Sequence, residues 1–94
     1  FIARLGGDEF AIVLPNTDEA GAMVLAERFR LAIAQANWPR RPVTISLGVS
    51  TVGDSQTDAS MLLQKADLAL YHSKNNGRDR CSHASSLSPQ PAPA

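Results

Sequence analysis

The stretch Phe1-Ile2-Ala3-Arg4-Leu5-Gly6-Gly7-Asp8-Glu9-Phe10-Ala11-Ile12-Val13-Leu14-Pro15 opens the chain and decides how it is read. Two short apolar runs rich in strand formers flank Gly6-Gly7, and paired glycines accept the positive φ of a tight hairpin turn. Pro15 cannot donate to a ladder and ends the second run. The pattern predicts a β-hairpin with two acids, Asp8 and Glu9, beside its turn. Acids are poor strand formers, and neighbouring strand residues point to opposite faces, so one of the two aims into any given cleft.

Working outward, Asn16-Thr17-Asp18-Glu19 reads as a helix start, with a capping side chain and an early acid at the positive end of the dipole. Ala22, Leu25, Ala26, Phe29, Ile33 and Ala36 follow at helical spacing as one apolar stripe, and Trp38-Pro39 closes the helix. Glu27, Arg28 and Arg30 fall off that stripe, so both arginines read as a solvated face with a weak Glu27 pair. Val43, Ile45, Leu47 and Val49 alternate with polar or small residues, which predicts a half-buried strand over 43–49. Thr57 or Asp58 caps a second helix that buries Ala59, Leu62, Leu63, Ala66, Ala69 and Leu70, and Asn76-Gly77 stops it. From Ser82 the composition turns to Ser, Pro, Ala and Gln, which predicts a disordered tail over 82–94 after a domain over 1–81. The order strand, strand, helix, strand, helix predicts an α/β (α+β) fold, helices packed on a mainly antiparallel sheet.

Composition bounds the function. Nine Lys and Arg balance nine Asp and Glu in 94 residues, which argues against a general nucleic-acid binder. Cys81 is the single cysteine, so no internal disulfide forms, and a lone thiol suits a reducing compartment. No apolar run approaches the roughly 20 residues that cross a bilayer, so the expectation is a cytoplasmic segment without direct membrane contact. Phe1 begins in mid-strand, which reads as a fragment lacking the N-terminal part of its domain.

The hairpin carries the chemistry. Glycines let a phosphate approach the backbone closely, and a carboxylate tolerates phosphate only with a cation between them. Mg²⁺ fits, because it takes one or two carboxylates and completes its shell with phosphates and water. A solvated acidic turn fits the same five residues equally well. Lys74 and Arg78, four apart at the end of the second helix, suit a polyanion as point charge and bidentate fork, although cations there also simply complement the helix dipole.

The motif Gly6-Gly7-Asp8-Glu9-Phe10, preceded by Arg4, resembles the signature hairpin of GGDEF domains, the diguanylate cyclases. Ala26-Glu27-Arg28-Phe29-Arg30, the strand ending Gly48-Val49-Ser50, and Ala66-Asp67-Leu68-Ala69-Leu70-Tyr71 through Lys74, Asn76-Gly77-Arg78 and Asp79 resemble later family elements in the same order. The resemblance covers residues 1 to about 81. It implies a palm-like nucleotide-cyclase fold with a ferredoxin-like core, condensing two GTP into cyclic di-GMP with release of pyrophosphate. It implies Asp8 as ligand of Mg²⁺ (or Mn²⁺), with Glu9 supporting the metal or the reacting centre. Gly6 and Gly7 would lie against the nucleotide, and Lys74 and Arg78 would hold its terminal phosphates. Arg28 matches an arginine that binds product at an inhibitory site in some members. The implied active form is a homodimer with one GTP per subunit. The family's first strand, bearing a further metal-binding Asp, the guanine-recognising groups and any inhibitory Arg-x-x-Asp motif would all precede Phe1. That strand would lie between the hairpin and the 43–49 strand, so the 94 residues alone are expected to be inactive. The alternative is a module without catalysis, serving as GTP sensor or cyclic di-GMP receptor.

Overall fold

The computed structural model describes residues 2–6, 9–52 and 58–87, the first five as backbone. The hairpin forms as expected. Strand β1 (Ile2–Gly6) pairs antiparallel with β2 (Glu9–Ile12), in the register Ile2 to Ile12 and Arg4 to Phe10. Between Arg4 and Gly6 the register shifts, so that Gly6 pairs with Glu9. Such a bulge adds one residue to one strand and re-aims the side chains beyond it. Along β2, Glu9 and Ala11 are half-buried while Phe10 and Ile12 stand open.

Helix α1 (Glu19–Gln35) starts where the sequence places it: the Asp18 carboxylate accepts the Gly21 N–H at 2.8 Å. Only Ala22 and Ala26 of its stripe are fully buried, and Phe29 stays 40% exposed. The helix ends three residues before Trp38, whose indole N–H folds back onto the Ile33 carbonyl at 2.7 Å. Helix α2 (Ala59–Asn75) is capped by Asp58, which accepts the Met61 N–H at 2.8 Å. Its covered side follows the expected one through Leu62, Ala66, Ala69 and Leu70 and continues to Ser73. Ala69 and Ser73 are fully covered, whereas Ala59 and Leu63 are exposed.

The 43–49 strand is shorter than its alternation suggests. Only β3 (Leu47–Val49) is laddered, because a strand exists only where a neighbour accepts its hydrogen bonds, and 43–46 have none among the described residues. That neighbour is β4 (Cys81–His83), running parallel to β3 in the register Leu47 to Cys81 and Val49 to His83. Two expectations change here. The described sheets comprise one antiparallel and one parallel pair, so the fold is α/β but not mainly antiparallel. Residues 82–87, which composition assigned to a disordered tail, form the end of β4 and a 3₁₀ turn, Ala84–Ser86. Residues 88–94 lie outside the described set.

Polar side chains lock this second sheet. Ser73 is wholly buried and lies 2.8 Å from the Leu47 carbonyl and 2.7 Å from the Ser82 hydroxyl. One hydroxyl carries one proton; since a carbonyl only accepts, Ser73 donates to Leu47 and Ser82 donates to Ser73. His83 is buried at 5% exposure. Its Nδ1 accepts the Ser85 N–H at 2.9 Å, so Nε2 carries the proton and donates to Thr51 Oγ1 at 2.8 Å. That tautomer is neutral, and no proton lies between Nδ1 and Glu19 Oε1, 3.5 Å away. The Ser85 hydroxyl donates to the other Glu19 oxygen at 3.0 Å and ties the 3₁₀ turn to the start of α1.

Gly48 decides how the layers stack. A Cβ there would meet the Ala66 carbonyl oxygen and the Leu70 nitrogen, each at 2.1 Å, so the α2 backbone rests directly on β3. Leu47 and Val49 point to the other face, and α1, which also packs on β3 and β4, covers that side. The β3–β4 pair is thus the middle of a helix–sheet–helix stack, with the hairpin as a separate two-stranded sheet.

Candidate phosphate and metal site

The hairpin and the end of α2 meet through one pair of side chains. Glu9 leaves the bulged end of the hairpin, and its Oε1 lies 4.0 Å from Nζ of Lys74 in the last turn of α2. Both side chains are over a third exposed, so the pair contributes about 1 kcal/mol at most. Its value is positional, since it brings an acid of the signature hairpin to one of the two candidate phosphate cations. Glu9 also lines an open cleft of about 360 Å³ with Ser60, Leu63, Gln64 and Asp67. Asp67, given no role from sequence, lies seven residues before Lys74, two helical turns along the same side of α2. That spacing was the available signal.

Arg78 is no helical neighbour of Lys74, because α2 stops at Asn75. Gly77 takes φ 109° as expected, and the Arg78 N–H returns to the Ser73 carbonyl at 3.0 Å, closing a Schellman turn. Arg78 therefore leaves the helix on a turn, and its guanidinium has no hydrogen bond or ion pair among the described residues. Gly6 ends β1 opposite Glu9. Gly7 and Asp8 lie outside the described residues, so the expected metal role of Asp8 is not placed. Arg28 is exposed on α1 and makes no hydrogen bond or ion pair with Glu9, Lys74 or Arg78.

Arg30 departs from its expected solvated place. Its side chain is 17% exposed, held by the Glu27 carboxylate through Nε at 3.0 Å and through Nη2, and by Asp79 Oδ1 through Nη1 at 2.8 Å. Hydrogen bonding to Glu27 first, then to Asp79, raises the pKa of Arg30, and the Arg30 hydrogen bond lowers that of Glu27.

Cys81 neighbours this network. Burial, followed by hydrogen bonding to Glu27, pushes its thiol up to about 11 from 9.0. The folded protein should therefore react with iodoacetamide at pH 8 ~100-fold more slowly than the unfolded chain, following its thiolate fraction. Equal rates would show the thiol to be unperturbed. By linkage, the group's stabilising contribution is full below pH 9 and is lost as pH rises through 11, because the unfolded chain releases its proton first.

No group of three or more His, Cys, Asp or Glu side chains able to hold a metal ion occurs among the described residues. What the cleft offers is hard carboxylate oxygen from Glu9 and Asp67. One or two carboxylates suit Mg²⁺ when phosphates and water complete its shell, and do not form a protein-built cage. No helix of the described residues is long and apolar enough to cross a membrane.

Comparison with known proteins bears on this geometry. Residues 1–80 match the family model described as diguanylate cyclase, GGDEF domain. Diguanylate cyclase A of Treponema denticola is 42% identical over 82 residues, covering 83% of this chain and 22% of that protein. The active GGEEF domain of a diguanylate cyclase from Vibrio cholerae superposes with a TM-score of 0.83 at 37% identity, covering 94% of this chain and 57% of that one. The GGDEF domain of DgcB from Caulobacter crescentus, in complex with c-di-GMP, gives 0.82 at 31% identity, covering 92% and 54%. The chain thus spans about a fifth of the first relative and little over half of the solved domains.

Proposed function

This chain belongs to the GGDEF family, and from that premise we propose that it forms the phosphate-facing part of a diguanylate cyclase active site. In the full-length protein two GTP molecules become cyclic di-GMP. Each 3′-hydroxyl oxygen bonds to the α-phosphorus of the other nucleotide, the bond to the β-phosphate breaks, pyrophosphate leaves, and the hydroxyl proton passes to a carboxylate or water. The observation that carries the reading is the 4.0 Å approach of Glu9 to Lys74, with Arg78 on the following turn and its side chain without a hydrogen bond or ion pair among the described residues.

Each residue has a part. Lys74 turns from Glu9 to the terminal phosphates, where a flexible point charge suits a departing polyanion, and Arg78 adds a bidentate fork. Gly6 and Gly7 let the nucleotide lie against the hairpin. Asp8, by its place in the motif, and Glu9 supply the oxygens that would hold Mg²⁺ or Mn²⁺. The bound ion would polarise the phosphate and lower the pKa of the attacking hydroxyl. One GTP per subunit makes the active form a homodimer with facing half-sites, in the cytoplasm where GTP is available. The proposal assigns turnover to the full-length protein, since these 94 residues cover little over half of the solved GGDEF domains they match. The division into a domain over 1–81 and a tail is proposed only with the ordered 82–87 segment moved into the domain.

Arg28, exposed and unpaired among the described residues, favours a second reading in which the module binds GTP or cyclic di-GMP without turnover. Titrating GTP into the full-length protein with and without Mg²⁺, while following cyclic product, separates the two. Mg²⁺-dependent binding with product supports the cyclase, and binding without product supports the sensor. No Mg²⁺-dependent affinity for GTP overturns both.

A further inference from the structure

Behind the phosphate cations lies a turn that the chain would not adopt unaided. Gly77, Arg78 and Asp79 have φ of 109°, 58° and 46°, three successive residues in the left-handed region. Glycine enters it freely, whereas Arg and Asp do so only where surrounding contacts hold them. The contacts here are specific. The Arg78 N–H is fixed to the Ser73 carbonyl at 3.0 Å, and Arg80 Nε donates to the Arg78 carbonyl at 3.1 Å. At the far side the Leu47 N–H binds the Arg80 carbonyl at 2.9 Å, where β4 begins. The remaining side is closed from another element. Arg30 of α1 donates through Nη1 to the Asp79 carboxylate at 2.8 Å and lies 3.5 Å from its carbonyl oxygen. Glu27 grips the rest of the same guanidinium. A planar fork held on one edge by a neighbour in its own helix is rigid enough to set the position of what it grips on the other.

We infer that Arg30, acting through Asp79, is a positioning residue: it holds the left-handed 77–79 turn so that Arg78 faces the terminal phosphates of a nucleoside triphosphate beside Lys74. The inference rests on the proposed GTP site and adds to it a support from α1, which supplies none of the residues proposed to hold GTP. The Arg78 side chain makes no hydrogen bond or ion pair among the described residues, so the backbone sets the point from which its guanidinium extends. Its backbone depends on the turn.

The test uses the full-length protein and compares affinity for GTP with affinity for GMP, which lacks the terminal phosphates. Arg30→Lys keeps the charge and loses the fork, and Asp79→Asn keeps the side-chain shape and loses the charge. Each should weaken GTP binding about tenfold, the size of one charge-assisted hydrogen bond, with GMP affinity changed less than about twofold. KM should rise more than kcat falls. Arg30→Lys added to Arg78→Ala should bind GTP no worse than Arg78→Ala alone, since both remove the same contact. Additive losses, equal losses for GTP and GMP, or no loss with either variant would overturn the inference. Should Arg30→Lys lower Tm sharply, Asp79→Asn carries the comparison, because it leaves α1 untouched. A wild-type protein that binds neither nucleotide defeats the site itself, an outcome distinct from a wild type that binds GTP beside variants that bind it equally well.

Discussion

Gly48→Ala is expected to destabilise the full-length protein by about 3 kcal/mol or more, beyond the usual range for overpacking. The added methyl group would sit 2.1 Å from both the Ala66 oxygen and the Leu70 nitrogen, atoms joined across one turn of α2. Neither is the end of a flexible side chain, so no rotamer change relieves the clash. Helix α2 must lift from β3, and lifting it also pulls Ser73 from Leu47 and Ser82. Because Lys74 follows Ser73, the phosphate cations move with it. A urea midpoint and GTP affinity should therefore fall together. Gly21→Ala is the control. There a Cβ meets only the Asp18 carboxylate and a Thr17 methyl, at 3.2 Å, and the gain in helix propensity is about 1 kcal/mol. A Gly48→Ala protein as stable as the Gly21→Ala protein would mean that α2 does not rest on β3 as described.

Asp8→Asn should slow cyclic di-GMP formation by the full-length protein at least about a hundredfold, near 2.7 kcal/mol of barrier. The substitution keeps the size of the side chain and removes the anionic oxygen that Mg²⁺ prefers. Stability should change little, since Asn keeps the size of the Asp side chain. Raising Mg²⁺ should recover part of the lost rate if the defect is one of metal affinity. An unchanged rate would remove Asp8 from the mechanism and leave Glu9 as the only acid of the motif with a placed partner.

The sequence exposed the features whose causes are local. The two strands flanking the motif pair as a hairpin, Asp18 and Asp58 cap helices through their own carboxylates, and Gly77 takes the left-handed angle that ends α2. Each follows from the preferences of a few adjacent residues. Lys74 and Arg78 stood out for the same reason, being cations at a helix end. Arg30 did not, because its partner Asp79 is 49 residues away and its own helix offered only Glu27. His83 looked like tail in part for the same cause: its ring partner Thr51 is 32 residues away.

Sequence by itself determined the two helices, their caps, the acidic hairpin and the two cations at the end of the second helix, since these depend on backbone preference and side-chain chemistry within one or two turns. Only the tertiary structure decided that Cys81–His83 is a strand, that it runs parallel to Leu47–Val49, that Ser73 is buried and that Arg30 reaches Asp79. A three-residue polar segment has no period to read, and its hydrogen bonds have no direction until a distant strand supplies one. Buried polar groups, likewise, are stable only beside partners that folding brings to them.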